Sequence, residues 1–95
     1  MDERPLPTER DLRDAAKFRE RIHQEALNRV RRFDPDVTDV YDPHPVDAYF
    51  EWKWDYPGAW YLYVSVPEGY KSRDALVNAI VRATIDHMGQ PRKPH

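Results

Sequence analysis

Asp36, Glu51 and Lys53 are the residues whose types and spacing best fit a chemical reaction. Glu51 and Lys53 are two positions apart, so a β-strand would place both side chains on one face. Two carboxylates can hold Mg²⁺, and a lysine ammonium can stabilise an activated water or developing negative charge. Brought together, the three side chains would suit metal-dependent phosphodiester cleavage.

The pattern P-D…E-x-K formed by these residues resembles the signature of the PD-(D/E)xK nucleases. The resemblance implies a divalent metal held by Asp36 and Glu51, with Lys53 beside it. That family carries the signature on adjoining central strands that follow an earlier strand, and no strand-like segment precedes Asp36. A same-face ion pair between Glu51 and Lys53 explains their spacing equally well, so a nuclease is the third hypothesis for function.

The other polar residues predict neither a metal site nor a cofactor. The acidic run at Asp34, Asp36, Asp39 and Asp42 lacks the glycine and the terminal glutamate of a calcium-binding EF-hand loop. The four histidines show no zinc-ligand spacing, and the chain has no cysteine. Without a glycine-rich phosphate loop or a Ser/His/Asp order, we predict no catalytic residues and a protein that is not an enzyme.

The elements that must position these residues are those of one small α+β domain. The chain has 95 residues, which is enough for a single domain. We expect a flexible tail over residues 1–7, one domain over 8–89 and a short basic tail over 90–95. The N-terminus carries acids and prolines in place of a signal peptide, and no apolar run could span a bilayer. These features predict a cytoplasmic protein with no membrane partner.

Hydrophobic periodicity predicts the element order α-β-β-β-α. A helix with N-cap Thr8 should run to Phe33 and stop at Asp34-Pro35. A short strand at 37–41 should precede a strand at 46–55, in which Phe50, Trp52 and Trp54 alternate with polar residues. A third strand should follow the turn at 56–58, and a helix with N-cap Ser72 should run to Met88 and end at Gly89.

The hairpin has one register that places all of its apolar residues on one side. In it, Trp54 faces Trp60, Trp52 faces Leu62 and Phe50 faces Val64. We expect a small antiparallel meander with both helices packed on the Phe50/Trp52/Trp54 face. The apolar arc of the second helix is wide, which predicts that this helix packs against more than one element. The candidates are the first helix, the sheet and a second subunit.

Five residues of the opposite sheet face are candidates for partner binding, together with a charged residue of the first helix. Tyrosine combines an apolar ring with a polar tip and is enriched at interfaces. Arg19 lies in the apolar stripe of the first helix, and a buried guanidinium needs a partner. Either it reaches the edge of the helix or pairs with an acid of a strand, or its charge is reserved for a partner protein. The candidates are Tyr49, Tyr61, Tyr63, Glu51, Lys53 and Arg19.

The predicted element order is also similar to that of double-stranded-RNA-binding domains (dsRBD). Lys71 and Arg73 lie at the start of the second helix, where that family keeps phosphate-binding lysines. The resemblance implies RNA binding through these residues and the basic face of the first helix. The segment from Asp34 to Asp55, however, holds seven acidic residues and one lysine, a net charge of −6 that repels a polyanion. The candidate phosphate contacts are Arg10, Arg13, Lys17, Arg21, Arg32, Lys71 and Arg73.

Small size, the absence of a catalytic motif and the tyrosine-bearing sheet face together predict a non-enzymatic protein-interaction module. It would act as an adaptor, an inhibitor or immunity-type binder, or a homodimeric accessory subunit. Its partner would be another protein or a second copy of itself. Nucleic-acid binding is the alternative hypothesis.

Overall fold

The structure is a computed structural model that describes residues 4–55 and 58–88. Two helices and a two-stranded antiparallel sheet place the domain in the α+β class, as the sequence predicts. The described residues include no helix long and apolar enough to cross a membrane. In chain order the elements are α1 (Glu9–Val30), a short 3-10 helix (Val46–Tyr49), β1 (Phe50–Asp55), β2 (Ala59–Val64) and α2 (Arg73–Met88).

Helix α1 begins where its capping residues predict and ends earlier than its hydrophobic pattern predicts. The Thr8 hydroxyl accepts the backbone N–H of Asp11 at 3.1 Å, and the Asp11 carboxylate accepts the N–H of Thr8 at 2.9 Å. This reciprocal capping box satisfies two backbone donors that a helix start leaves unpaired. At the other end the last helical residue is Val30, and the predicted final turn to Phe33 is a hydrogen-bonded turn with an exposed phenylalanine.

Helices α1 and α2 pack against each other and form most of the core. Fully buried residues recur about one or two helical turns apart along one side of each helix, as an amphipathic pair requires. Helix α2 starts at its predicted cap, since the Ser72 hydroxyl accepts the N–H of Ala75 at 3.1 Å. Two ion pairs, Arg29–Asp74 and Glu25–Arg73, join the helices at the core's edge. The buried apolar residues of the pair are Ala15, Ile22, Ala26, Val30, Leu76, Val77 and Ile80.

The connector, residues 31–45, contains no strand, so the strand predicted at 37–41 is wrong. Its backbone groups bond to side chains instead of to a sheet edge. The N–H of Tyr41 donates to the buried hydroxyl of Thr84 on α2 at 2.9 Å, and Arg31 donates to the carbonyl of Val37 at 2.8 Å. These bonds hold the connector across the helix pair, and the sheet of the described residues has two strands.

The hairpin has the predicted register: Phe50 pairs with Val64, Trp52 with Leu62 and Trp54 with Trp60. Strand β1 nevertheless begins at Phe50, because residues 46–49, predicted as strand, form the 3-10 helix. Gly58 has φ +124°, a conformation that suits glycine at a hairpin turn. The predicted turn residues 56 and 57, and the predicted helix stop at Gly89, lie outside the described residues.

The predicted packing of both helices on the Phe50/Trp52/Trp54 face is found only at its Phe50 end. Phe50 packs against the core at the base of the hairpin, next to the 3-10 helix. Trp54, near the tip, has 61 % of its surface exposed. The hairpin therefore extends away from the helix pair and is anchored at one end.

The bond between α2 and the connector yields a stability prediction. Thr84→Val keeps the side-chain shape but leaves the N–H of Tyr41 without an acceptor. We expect the free energy of unfolding, measured with urea, to fall by about 1–3 kcal/mol. Thr38→Val, at an exposed connector position, is the control and should change it by less than about 0.5 kcal/mol. Equal stability of the two variants would show that the bond contributes nothing.

Candidate functional site

Asp42 is the centre of a polar cluster that links α1, the connector and the 3-10 helix. Its side chain is 1 % exposed although it lies in a connector without regular structure. The sequence Asp42-Pro43-His44-Pro45 turns here, and the carboxylate accepts the backbone N–H of His44 at 2.8 Å. This local turn directs the carboxylate inwards, towards α1.

Three further side chains donate to the same carboxylate. Oδ2 lies 2.6 Å from His23 Nε2 and 2.6 Å from the Tyr49 hydroxyl, while Oδ1 lies 2.8 Å from His44 Nδ1. An ionised carboxylate can only accept hydrogen bonds, so His23 carries its proton on Nε2 and His44 carries its proton on Nδ1. The remaining nitrogen of His44, Nε2, is 3.0 Å from the Tyr70 hydroxyl, which extends the cluster to the segment before α2.

Arg19, a predicted partner-binding residue, has its partner within the chain. Its Nε and Nη2 donate to the carbonyl of His44 at 3.2 Å and 2.9 Å, and Nε lies 3.4 Å from Asp42 Oδ2. Of the interpretations of Arg19, the structure supports a pair within the chain, although the acid, Asp42, belongs to the connector and not to a strand. The guanidinium thus fastens the connector to α1.

The environment of Asp42 shifts two pKa values in opposite directions. Burial alone would raise the pKa of the Asp42 carboxyl, but the hydrogen bonds from His23, Tyr49 and His44 outweigh it and hold that pKa well below its usual range. Burial, the hydrogen bond to Asp42 and its negative charge raise the pKa of the Tyr49 hydroxyl. The carboxylate therefore stays ionised and the phenol stays protonated at neutral pH.

An aspartate that orients a histidine is also a component of catalytic dyads. Here both carboxylate oxygens are occupied by protein donors, and the second nitrogen of His44 contacts Tyr70. His23 lines a shallow cleft of about 280 Å³ together with Glu20, Thr38 and Asp39. Within residues 4–55 and 58–88, no buried side-chain nitrogen or oxygen lacks a partner. The geometry suits positioning of the connector.

The second candidate region is the tyrosine face of the hairpin, which consists of Tyr61, Tyr63, Glu51 and Lys53. All four side chains are exposed, the tyrosines by 43 % and 46 %. Their rings lie side by side with centroids 6.4 Å apart, and the Lys53 ammonium lies 5.8 Å from the Tyr63 ring centroid. The structure brings these four predicted residues together.

Tyr49 does not belong to the tyrosine face, so its predicted exposure is wrong. It belongs to the 3-10 helix, is fully buried and donates its hydroxyl to Asp42. Its ring meets the ring of Phe18 edge-on with centroids 6.1 Å apart. Tyr49 is a core residue that anchors the base of the hairpin.

The opposite side of the hairpin carries its tryptophans. Trp54 and Trp60 meet edge-to-face near the tip with centroids 5.2 Å apart, and the guanidinium of Arg4 lies 5.4 Å from the Trp60 ring centroid. Arg4 belongs to the predicted N-terminal tail, of which residues 4–7 are described and have no regular structure. The tip is therefore aromatic on the side that the tyrosines do not occupy.

The residues of the P-D…E-x-K pattern do not come together. Asp36 lies in the connector just beyond the C-terminal end of α1, and its N–H bonds to Asp34. Glu51 and Lys53 lie on the hairpin, which starts beside Phe18 and reaches Arg4 ahead of α1. In the described part of the chain, no three acidic or histidine side chains are placed to hold a metal ion.

The predicted phosphate-binding cations are all exposed, but they do not form one free surface. Arg73 pairs with Glu25 at 3.2 Å, and its guanidinium lies 5.7 Å from the ring centroid of Phe18. It therefore ties α2 to α1. The third strand of the similar RNA-binding fold is also absent from the described residues. The other exposed cations are Arg10, Arg13, Lys17, Arg21, Arg32 and Lys71.

Sequence reasoning missed the cluster around Asp42, although parts of it were visible. Arg19 and His23 are one helical turn apart in an otherwise apolar stripe, which indicates a buried polar partner. Asp42 was indistinguishable from the other aspartates of an acidic segment. Tyr70, which lies outside every motif, gave no signal.

Replacement of Asp42 should weaken the fold in a pH-dependent way. Asp42→Asn removes the charge that Arg19, His23 and His44 share, so we expect a loss on the order of 3 kcal/mol in unfolding free energy at pH 7. Because the folded-state pKa is depressed, native Asp42 stabilises above its ordinary pKa of 3.8 and loses this contribution as pH falls further. The difference between wild type and variant should therefore shrink below about pH 4.

Chemical denaturation at a series of pH values from 7 to 2.5 measures this difference. Asp39→Asn, at an exposed connector position, is the control and should follow the wild type throughout. A constant difference between wild type and Asp42→Asn across the series would contradict a depressed pKa for Asp42.

Comparison with known proteins adds no relative. No protein-family model, no curated protein and no solved structure matches this chain.

Proposed function

We propose that this chain is a non-enzymatic protein-interaction module that binds its partner through the hairpin. The observation that carries the proposal is the lack of burial in β1 and β2. None of their twelve residues is buried, although nine are aromatic or aliphatic. A strand pair with this composition normally lies against a core. Exposed apolar surface of this kind is typical of interaction sites.

The energetics of a hairpin support the same function. A two-stranded hairpin is marginally stable alone in water, and this one is held by the core only at its base. A partner that covers the hairpin would bury its aromatic rings and order its strands. Tyrosine and tryptophan are also the side chains that most often dominate binding energy at protein interfaces.

Internal hydrogen bonding and exposed aromatic surface lie in different parts of the chain. The polar cluster around Asp42 is closed by internal hydrogen bonds, whereas Tyr61, Tyr63 and Trp54 remain exposed. The helix pair and connector thus form a support, and the hairpin is the part offered to a partner. An adaptor, an inhibitor or a homodimeric accessory subunit would use this arrangement in the same way.

Paired tyrosine substitutions test the proposal. We expect Tyr61→Ala with Tyr63→Ala to weaken partner binding by about 1–2 kcal/mol per tyrosine while leaving the fold intact, because neither ring is in the core. Tyr41→Ala is a matched control, since Tyr41 is 46 % exposed like Tyr63 but lies on the connector, stacked on His87.

The measurement is affinity capture with the immobilised full chain, compared between wild type, the double variant and the control by quantitative mass spectrometry. A partner should be retained by wild type and Tyr41→Ala and lost by the double variant. The nucleic-acid hypothesis would be favoured by two results together. The double tyrosine variant would retain the same proteins as the wild type, and the chain would show salt-sensitive nucleic-acid binding that Arg13→Glu with Lys17→Glu abolishes.

A further inference from the structure

Glu51 and Lys53 give the tyrosine face one negative and one positive charge, and their positions decide how two copies of the face can meet. Strand pairing creates two neighbouring rows across the hairpin, one with Glu51 beside Tyr63 and the other with Lys53 beside Tyr61. Each row therefore holds one tyrosine and one charge, and the two charges have opposite sign. All four side chains are exposed.

This order makes the face complementary to itself. The relevant two-fold axis runs parallel to the rows, midway between them. It places the row with Glu51 and Tyr63 of one copy over the row with Lys53 and Tyr61 of the second copy. Glu51 of one copy then faces Lys53 of the second copy, twice by symmetry, and Tyr61 of one faces Tyr63 of the other. Such an isologous contact is the commonest way in which identical chains associate.

We propose that the tyrosine face binds a second copy of this chain through that two-fold contact. The inference rests on the proposed function and names the partner of its binding surface. An axis placed through either row would set Glu51 against Glu51 or Lys53 against Lys53, and like charges in contact are repelled. An axis between the Lys53 row and the next row, Asp55 with Ala59, would also pair opposite charges, but it would set Tyr61 against Ala59. The axis between the two tyrosine rows is thus the face-to-face arrangement that pairs both the opposite charges and the tyrosines.

The size of the face sets the strength of the association. Two strands of six residues offer less than the ~1,200 Å² of total buried surface that characterises stable specific interfaces. Interfaces below this size are typical of weak, transient complexes, so we expect the dimer to be reversible. Its charge pairs are at the rim of a narrow ribbon, so high salt weakens it.

Charge exchange between positions 51 and 53 tests the symmetry directly. Glu51→Lys alone or Lys53→Glu alone creates two like-charge contacts, and each should raise the dissociation constant by about tenfold or more. The double variant with both changes restores opposite charges and should dimerise like the wild type. A one-to-one mixture of the two single variants should also dimerise, because each lysine then faces a glutamate.

Sedimentation equilibrium of the full chain from 1 to 500 μM, at low and high salt, gives the dissociation constants. Lys17→Glu and Glu20→Lys, which make the same charge changes at exposed positions of α1, are matched controls and should leave them unchanged. Circular dichroism of every variant establishes that it is folded.

The outcomes separate this inference from the proposed function. A chain that stays monomeric at 500 μM, or dimerises without regard to positions 51 and 53, overturns the two-fold contact. If tyrosine-dependent capture of a different protein persists in that case, the proposed function stands and the self-association fails. If neither capture nor self-association depends on Tyr61 and Tyr63, both are overturned.

Discussion

The buried carboxylate of Asp42 is the constraint on which the rest of the structure depends. A carboxylate removed from water is costly unless donors replace its hydration. Here His23 comes from α1, His44 from the connector and Tyr49 from the 3-10 helix. These donors must converge for the charge to be tolerated, so the connector path and the start of the hairpin are determined together. Arg19, close to both Asp42 and the carbonyl of His44, completes the compensation.

Local patterns predicted those elements whose stability is local. The Thr8 cap, the Ser72 cap and the full pairing register of β1 with β2 follow from neighbouring residues, and the structure has all three. Their physical basis is short-range: a hydroxyl reaches three residues along the chain, and alternation fixes which side chains face each other.

Predictions failed where contacts distant in sequence decide the conformation. Residues 46–49 continue the period-two pattern of β1, yet Tyr49 turns inwards because its hydroxyl reaches Asp42, seven residues earlier. The segment 37–41 is β-prone, but Thr84 on α2, 43 residues from Tyr41, takes the hydrogen bond that a strand would have made. Four of the five residues predicted for the exposed sheet face lie together on the hairpin, and the fifth, Tyr49, turns inwards to Asp42.

The position of Tyr49 explains how a folded support and an exposed aromatic hairpin coexist in 95 residues. The ring and hydroxyl of Tyr49 are fixed in the core, and its carbonyl accepts the N–H of Ser65, which closes the base of the ribbon. Phe50 is the first strand residue and packs against the same core. Beyond Phe50, the strands contribute little burial, so their side chains are constrained by pairing with each other and not by the core. Such a surface can change its binding residues without disturbing the polar cluster, which is the physical reason to assign recognition to the ribbon and stability to its base.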